Sequence, residues 1–238
     1  MTDKQGNVVI TGSLLGPGLD SDVITAMFDK QGERVWTARY DGLGSGAEVP
    51  GKIVLDEDGN AYLLGYSRVS RTRDDLLLMK IDPDGNVDWT ARYDSGHGED
   101  DSCGRLALDK WRNLYVAGIS SPGCPKESIF LLKYDCKGNL LWSKRPFPNA
   151  LSSKDPAPKC DHLGNFYLGA SICCRRTRSY VAVVIKYDRR GNELWRRAYP
   201  QGEKYASSEL ESMTLDGSGN VYATGAVWSP ETRRDIIT

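Results

Sequence analysis

An all-β fold built from four-stranded antiparallel blades is predicted by three observations. The pattern Asp-x-x-Gly-Asn returns along the whole chain, with aspartates at Asp3, Asp29, Asp56, Asp82, Asp109, Asp135, Asp161, Asp188 and Asp216. Short apolar runs such as "KIVLD", "AYLLG" and "DLLLMKID" flank these turns, and no helical periodicity intervenes. A tryptophan follows every second turn, at Trp36, Trp89, Trp142 and Trp195, 53 residues apart each time. Two hairpins per repeat of that length make one blade, so the fold class is a β-propeller.

The turns come first. Aspartate suits the opening position because its carboxylate caps backbone amides further along the turn. Glycine in the fourth slot takes the positive φ of a bulged hairpin loop, which gives Gly59, Gly85, Gly138 and Gly191 a structural role. Arg112 replaces that glycine in one copy, and Glu33 replaces the asparagine in another. "DPDGNVDW" looks like the start of a calcium loop, with Asp82 and Asp84 alternating. Its sister copies "DCKGN" and "DRRGN" carry a cation where Asp84 stands, so the reading is turn chemistry and no metal. The four repeated tryptophans are expected to pack between blades.

The strands follow from the turns. "KIVLD" is read as the innermost strand, "AYLLG" as the second, "DLLLMKID" as the third and "VDWTARY" as the outermost. Residues 1–238 then form one propeller region, with repeats at approximately 1–51, 52–104, 105–155, 156–211 and 212–238. The first and last are incomplete, because Asp235 aligns with Asp22 in a third strand. About four and a half blades are therefore expected, as an open fragment of a ring of about six to eight. Apolar flanks left exposed at both ends should make the 238-residue chain self-associate. "KDPAPKCD" holds Pro156 and Pro158 in an inner strand, which is compatible only with an open sheet edge.

At "LDxxGNxYxxG", "KYDxxGxxxW" and "WxxxYD" the chain resembles the bacterial SBBP-type β-propeller repeat family, and it is related in pattern to NHL and quinoprotein-like propellers. That resemblance implies a secreted, cell-surface or periplasmic bacterial protein without an assigned activity. No signal peptide is visible at "MTDKQGNVVITG".

The charge balance, 31 basic against 32 acidic residues, gives no reason to expect a nucleic-acid partner. No apolar run is long enough to insert into a membrane. Binding residues are sought on the variable loops joining second to third and fourth to first strands. One loop class carries Arg68, Arg71, Arg73, Arg175, Arg176, Arg178, Arg233 and Arg234, and the other carries Glu99, Asp100 and Asp101. These suit an anionic or mixed-charge ligand, or they pair with one another in solvent.

The six cysteines, Cys103, Cys124, Cys136, Cys160, Cys173 and Cys174, show no zinc spacing, and only His97 and His162 are histidines. Cys124 and Cys173 or Cys174 occupy equivalent loops, where a bridge or free thiols both remain open. The vicinal pair also resembles the adjacent-cysteine ring of some quinoprotein dehydrogenases. No Ser/His/Asp constellation is visible. The expectation is thus a non-catalytic scaffold, not an enzyme, with no cofactor, that binds a protein or glycan through one loop face. The alternative is part of a propeller enzyme of the quinoprotein dehydrogenase or glycosidase sort.

Overall fold

The computed structural model describes residues 1–16, 21–42, 46–68, 74–96, 100–121, 128–147, 156–174, 179–199, 207–228 and 235–237. The chain divides into two compact units, Met1–Cys103 with Cys136–Asn139, and Gly104–Asp135 with Leu140–Thr238. In the first unit, blade 1 is the sheet of β1 (Val8–Leu15), β2 (Ser21–Phe28) and β3 (Arg34–Tyr40). Blade 2 is the sheet of β4 (Ala47–Leu55), β5 (Ala61–Arg68), β6 (Asp75–Ile81) and β7 (Val87–Tyr93). Thr2 bridges Val8, in the place that the first strand holds in the other blades.

Blade 3 orders β8 (Asp100–Leu108), β9 (Leu114–Ser121), β10 (Ser128–Tyr134) and β11 (Leu140–Phe147). In blade 4 the strands are β12 (Ala157–Cys160), β13 (Phe166–Cys174), β14 (Ser179–Tyr187) and β15 (Glu193–Tyr199). Blade 5 has β16 (Ser207–Leu215), β17 (Val221–Trp228) and β18 (Asp235–Ile237). The strands within each sheet follow chain order, and the printed ladders are all antiparallel. This is the propeller architecture that the repeat predicts.

The turns show why the motif reads as it does. Asp56 Oδ1 accepts from the amides of Asp58 and Asn60, at 3.0 and 2.9 Å. Its Oδ2 accepts from Asn60 Nδ2 at 2.8 Å and from the Tyr62 hydroxyl at 3.3 Å. One carboxylate thus satisfies four donors, which accounts for the aspartate, the asparagine and the tyrosine of "LDxxGNxY" together. Asp82 is likewise filled by Asp84 N, Asn86 N and Asn86 Nδ2, and the Asn86 bond above all holds its carboxyl below the usual range. Gly59, Gly85, Gly138 and Gly191 all have positive φ, and Arg112 is the one non-glycine with positive φ among the described residues.

In blades 1 and 2 the tryptophan seats the blade on a turn of the next. Trp36 Nε1 donates to Pro83 O at 2.9 Å, and Trp89 Nε1 to Cys136 O at 3.0 Å. The Trp36 ring lies so close to Gly85 that an added Cβ would meet it at 2.8 Å. Behind it, Val9, Met27 and Trp36 of blade 1 pack on Ala61, Leu63 and Met79 of blade 2. In the second unit, Tyr115, Ala117 and Leu131 of blade 3 pack on Phe166, Leu168 and Ile185 of blade 4.

The first strands depart from the sequence reading. β4 begins at Ala47 and β8 at Asp100, several residues before "KIVLD" and its counterpart. A bulge between Pro50 and Lys52 breaks the alternation there and hides the early half of β4. β12 is short and lies at the edge of its sheet, pairing within it with β13 alone. Pro158 stands opposite Leu168 on that edge strand, the location in which a sheet tolerates proline.

Candidate functional site

The loop end of blade 2 gathers the charged groups that the sequence scatters. Arg68, the last residue of β5, forks onto Asp74 with Nε–Oδ1 and Nη2–Oδ2 distances of 2.8 and 3.1 Å. Asp75 opens β6 and accepts from Arg92 Nη2 of β7 at 2.8 Å. Asp94 follows β7 and is exposed, with Oδ1 accepting from Gly96 N at 2.7 Å. Asp101 of β8 is buried, accepts from Ser95 N at 2.8 Å, and donates its own amide to Asp74 O at 2.9 Å.

The Asp75 carboxyl is the perturbed member. Burial pushes its pKa above the ordinary carboxylate value, and the Asp94 and Asp74 charges push the same way. Arg92 works against them without restoring the usual value. Asp75 is also reachable, with its side chain 25% accessible and Arg92 beside it at 27%. The blade therefore offers a carboxyl held toward its neutral form near an exposed carboxylate and two guanidinium groups. The Arg92 guanidinium stays ion-paired to Asp75 at 2.8 Å, so the group combines a raised carboxyl with a direct cationic partner.

Blade 1 repeats the pattern in a closed form. Arg39 bonds Asp22 at 2.5 Å and approaches Asp41 at 3.7 Å. Glu48, 1% exposed, accepts from Ser67 Oγ at 2.9 Å and from Gly42 N at 3.3 Å. The Asp22, Asp41 and Glu48 carboxylates converge within 4.8 Å, but two of the three are buried and saturated by protein donors. In blade 3 the position of Asp75 is Ser128, whose hydroxyl Arg145 reaches at 3.3 Å. Carboxylate chemistry is thus accessible at blade 2.

Of the residues singled out from sequence, Arg68 and Asp101 lie in this cluster, joined through Asp74. Asp100 and Asp101 are on β8 and not in a loop. Arg71, Arg73, Glu99, Arg175, Arg176, Arg178, Arg233, Arg234, His97 and Cys124 lie outside the described residues. Asp75, Arg92 and Asp94 were missed. An Asp–Arg pair 17 residues apart recurs as Asp22–Arg39 and Asp75–Arg92, and that repeat was the available signal.

The thiols offer less. Cys136, Cys160 and Cys173 are free. Burial raises the Cys160 pKa far above the usual thiol value, which disfavours a nucleophilic thiolate. Cys173 and Cys174, whose adjacency resembles the cysteine ring of some quinoprotein dehydrogenases, continue a regular ladder opposite Tyr180 and Ser179.

No family model matches the chain, and no curated protein matches it. Among solved structures it is similar to a protein of unknown function from Dyadobacter fermentans, with TM-score 0.54, 12% identity and coverage of 100% of this chain and 80% of that one. A lignostilbene dioxygenase from Pseudomonas brassicacearum aligns with TM-score 0.53 and 10% identity, over 98% of this chain and 57% of that one. A Synechocystis apocarotenoid oxygenase variant gives TM-score 0.52 and 10% identity, over 97% and 55%. The expectation of a chain that is not an enzyme is corrected by these neighbours, since the fold it shares is one that carries catalysis. At such identities the likeness is one of fold, and the chain is a β-propeller whose structural neighbours include enzymes.

Proposed function

We propose that the chain is part of a propeller enzyme of the glycosidase sort, acting at the loop end of blade 2. Asp75 serves as the general acid that protonates a leaving glycosidic oxygen, and Asp94 supplies the opposing carboxylate. Arg68 and Arg92 orient the sugar hydroxyls or an acidic substituent. The observation that carries this reading is the Asp75 carboxyl, raised by burial and by the nearby charge of exposed Asp94, with its side chain still 25% accessible. The quinoprotein branch has no comparable support, because the vicinal cysteines sit in a strand ladder. The "LDxxGNxY" and "KYDxxGxxxW" motifs support kinship with SBBP-type repeats, and with it a place outside the cytoplasm and a glycan as the partner.

Reducing-end release from a panel of polysaccharides and aryl glycosides tests the assignment. The chain should hydrolyse at least one, and Asp75→Asn should lower kcat on a poor leaving group by about 10²–10⁴-fold while glycan binding persists. Because the pKa of Asp75 is raised, the acid form survives to higher pH than an ordinary carboxyl allows. The alkaline limb of the pH–rate profile should therefore lie above about pH 4 in the parent chain and vanish in Asp75→Asn. Unchanged turnover in Asp75→Asn and Asp94→Asn would remove both residues from the chemistry.

A further inference from the structure

The repeat lets one blade junction be compared with another. Where blade 1 meets blade 2, Ala38, two residues past the tryptophan, and Ile81, just before the turn aspartate, belong to one packed core. Val87, two residues past the turn glycine, pairs with Ile81 in the ladder. Where blade 3 meets blade 4, the same three places hold Lys144, Tyr187 and Glu193. All three, together with Arg145, line one cleft of about 440 Å³, within the range of about 300–1,000 Å³ for small-molecule sites. Three apolar positions of the repeat thus turn polar together, at one place inside the second compact unit.

The cleft presents donors. Tyr187 is 3% exposed, with its ring stacked on Phe166, and its hydroxyl has no hydrogen-bond partner among the described residues. Burial above all raises its pKa to about 12, with Glu193 adding to the rise and Arg196 opposing it. The hydroxyl therefore keeps its proton at neutral pH and feels the charges of the cleft wall. Lys144 makes no ion pair among the described residues. Its stem crosses Gly191, where an added Cβ would lie 2.6 Å from Lys144 Cε. Arg145 reaches Ser128 Oγ at 3.3 Å, where Arg39 and Arg92 each have an aspartate. Glu193, the carboxylate of the lining, is already forked by Arg196 at 3.1 and 2.9 Å. Cationic and hydroxyl donors thus face the space with their carboxylate neutralised, which is the complement of an oxyanion.

We propose that this cleft binds a sugar acid, with Lys144 and Arg145 on its carboxylate and the Tyr187 hydroxyl donating to an oxygen of the sugar. The oxyanion follows from the cleft itself. That a sugar carries it rests on the glycosidase reading, in which the partner is a glycan. The cleft is a binding subsite and takes no part in bond cleavage.

Calorimetric titration with tetragalacturonate, its fully methyl-esterified form and inorganic phosphate tests this. The parent chain should bind the acid at least about 10-fold tighter than the neutral ester or phosphate, with affinity falling as salt rises. Lys144→Ala, which returns the residue type of Ala38 and Ala91, should weaken the acid by about 10-fold or more. Tyr187→Phe returns the residue type of Phe28 and removes the hydroxyl alone. It should weaken the acid by about 2–10-fold at unchanged thermal stability. Asp75→Asn should leave this affinity unchanged, so a failure of hydrolysis at blade 2 and a failure of this cleft give different results. Undetectable binding of the acid overturns the proposal. So does ester or phosphate binding as tight as that of the acid, or an affinity that either cleft variant leaves unmoved.

Discussion

Gly138→Val is expected to lower stability by about 3–5 kcal/mol, against about 1–2 kcal/mol for Gly32→Val. The two glycines have nearly the same backbone, with φ of 83° at Gly138 and 84° at Gly32. Their surroundings differ. A Cβ at Gly32 meets nothing within 4 Å, while one at Gly138 would lie 2.7 Å from Trp89 Cδ2. The backbone penalty of the left-handed conformation is common to both changes. At Gly138 the indole must also move off the turn, and its bond to Cys136 O is lost with its packing. Urea midpoints of the two variants separate these effects, since the difference between them isolates the tryptophan seat. Equal losses would mean that Trp89 is not seated on the turn.

That contrast marks what a sequence of this kind discloses. The aspartate, glycine, asparagine and tryptophan of each half-repeat are legible because the forces on them are local or recur at a fixed interval. A carboxylate that binds Asp58 N and Asn60 N is written within five residues, and sister copies such as Asp3, Asp109, Asp161 and Asp216 write it again. The start of each first strand is not legible. Glu48 and Asp101 are acids buried at strand starts, and the bulge at Pro50 interrupts the alternation that would have revealed β4. The candidate site is harder still to read. Asp75, Arg92 and Asp94 come from two strands and the segment that follows, and their electrostatics exist only once the blade is folded. Nor can a periodic pattern announce catalysis. Periodicity reports the scaffold, and the Asp–Arg pair shared by blades 1 and 2 stands out only when the copies are compared with Ser128 and Arg145 of blade 3.

Lys133 is such a departure, and Lys133→Met is expected to stabilise the chain by about 1–3 kcal/mol. In blade 1 the equivalent residue is Met27, and the indole opposite it, Trp36, takes the carbonyl of Pro83. In blade 2 the residue is Lys80, but Asp88 draws its ammonium away at 2.6 Å and Trp89 still reaches Cys136 O. Blade 3 has Leu141 where blade 2 has Asp88. Lys133 is buried there, stacks over Tyr115, and donates Nζ to Arg189 O at 2.9 Å. It thereby takes the carbonyl that the repeat assigns to Trp142, whose Nε1 is buried with no acceptor among the described residues.

Desolvation is the largest influence on Lys133 and lowers its pKa, so folding weakens its hold on the proton relative to the unfolded chain. The folded chain then holds fewer protons on this group than the unfolded chain between the lowered value and the ordinary one near about 10.4. Stability should rise with pH across that window as the cost of burying the ammonium disappears. Methionine removes the charge and leaves Arg189 O to the indole, so Lys133→Met should show the gain at neutral pH and lose the alkaline rise. Leu141→Asp should recover part of the same gain by giving Lys133 the partner that Lys80 has. Urea unfolding of the parent and both variants at pH 7 and pH 10 measures this. A less stable Lys133→Met at pH 7, or an undiminished alkaline rise in that variant, would show that the ammonium sits in blade 3 at no cost.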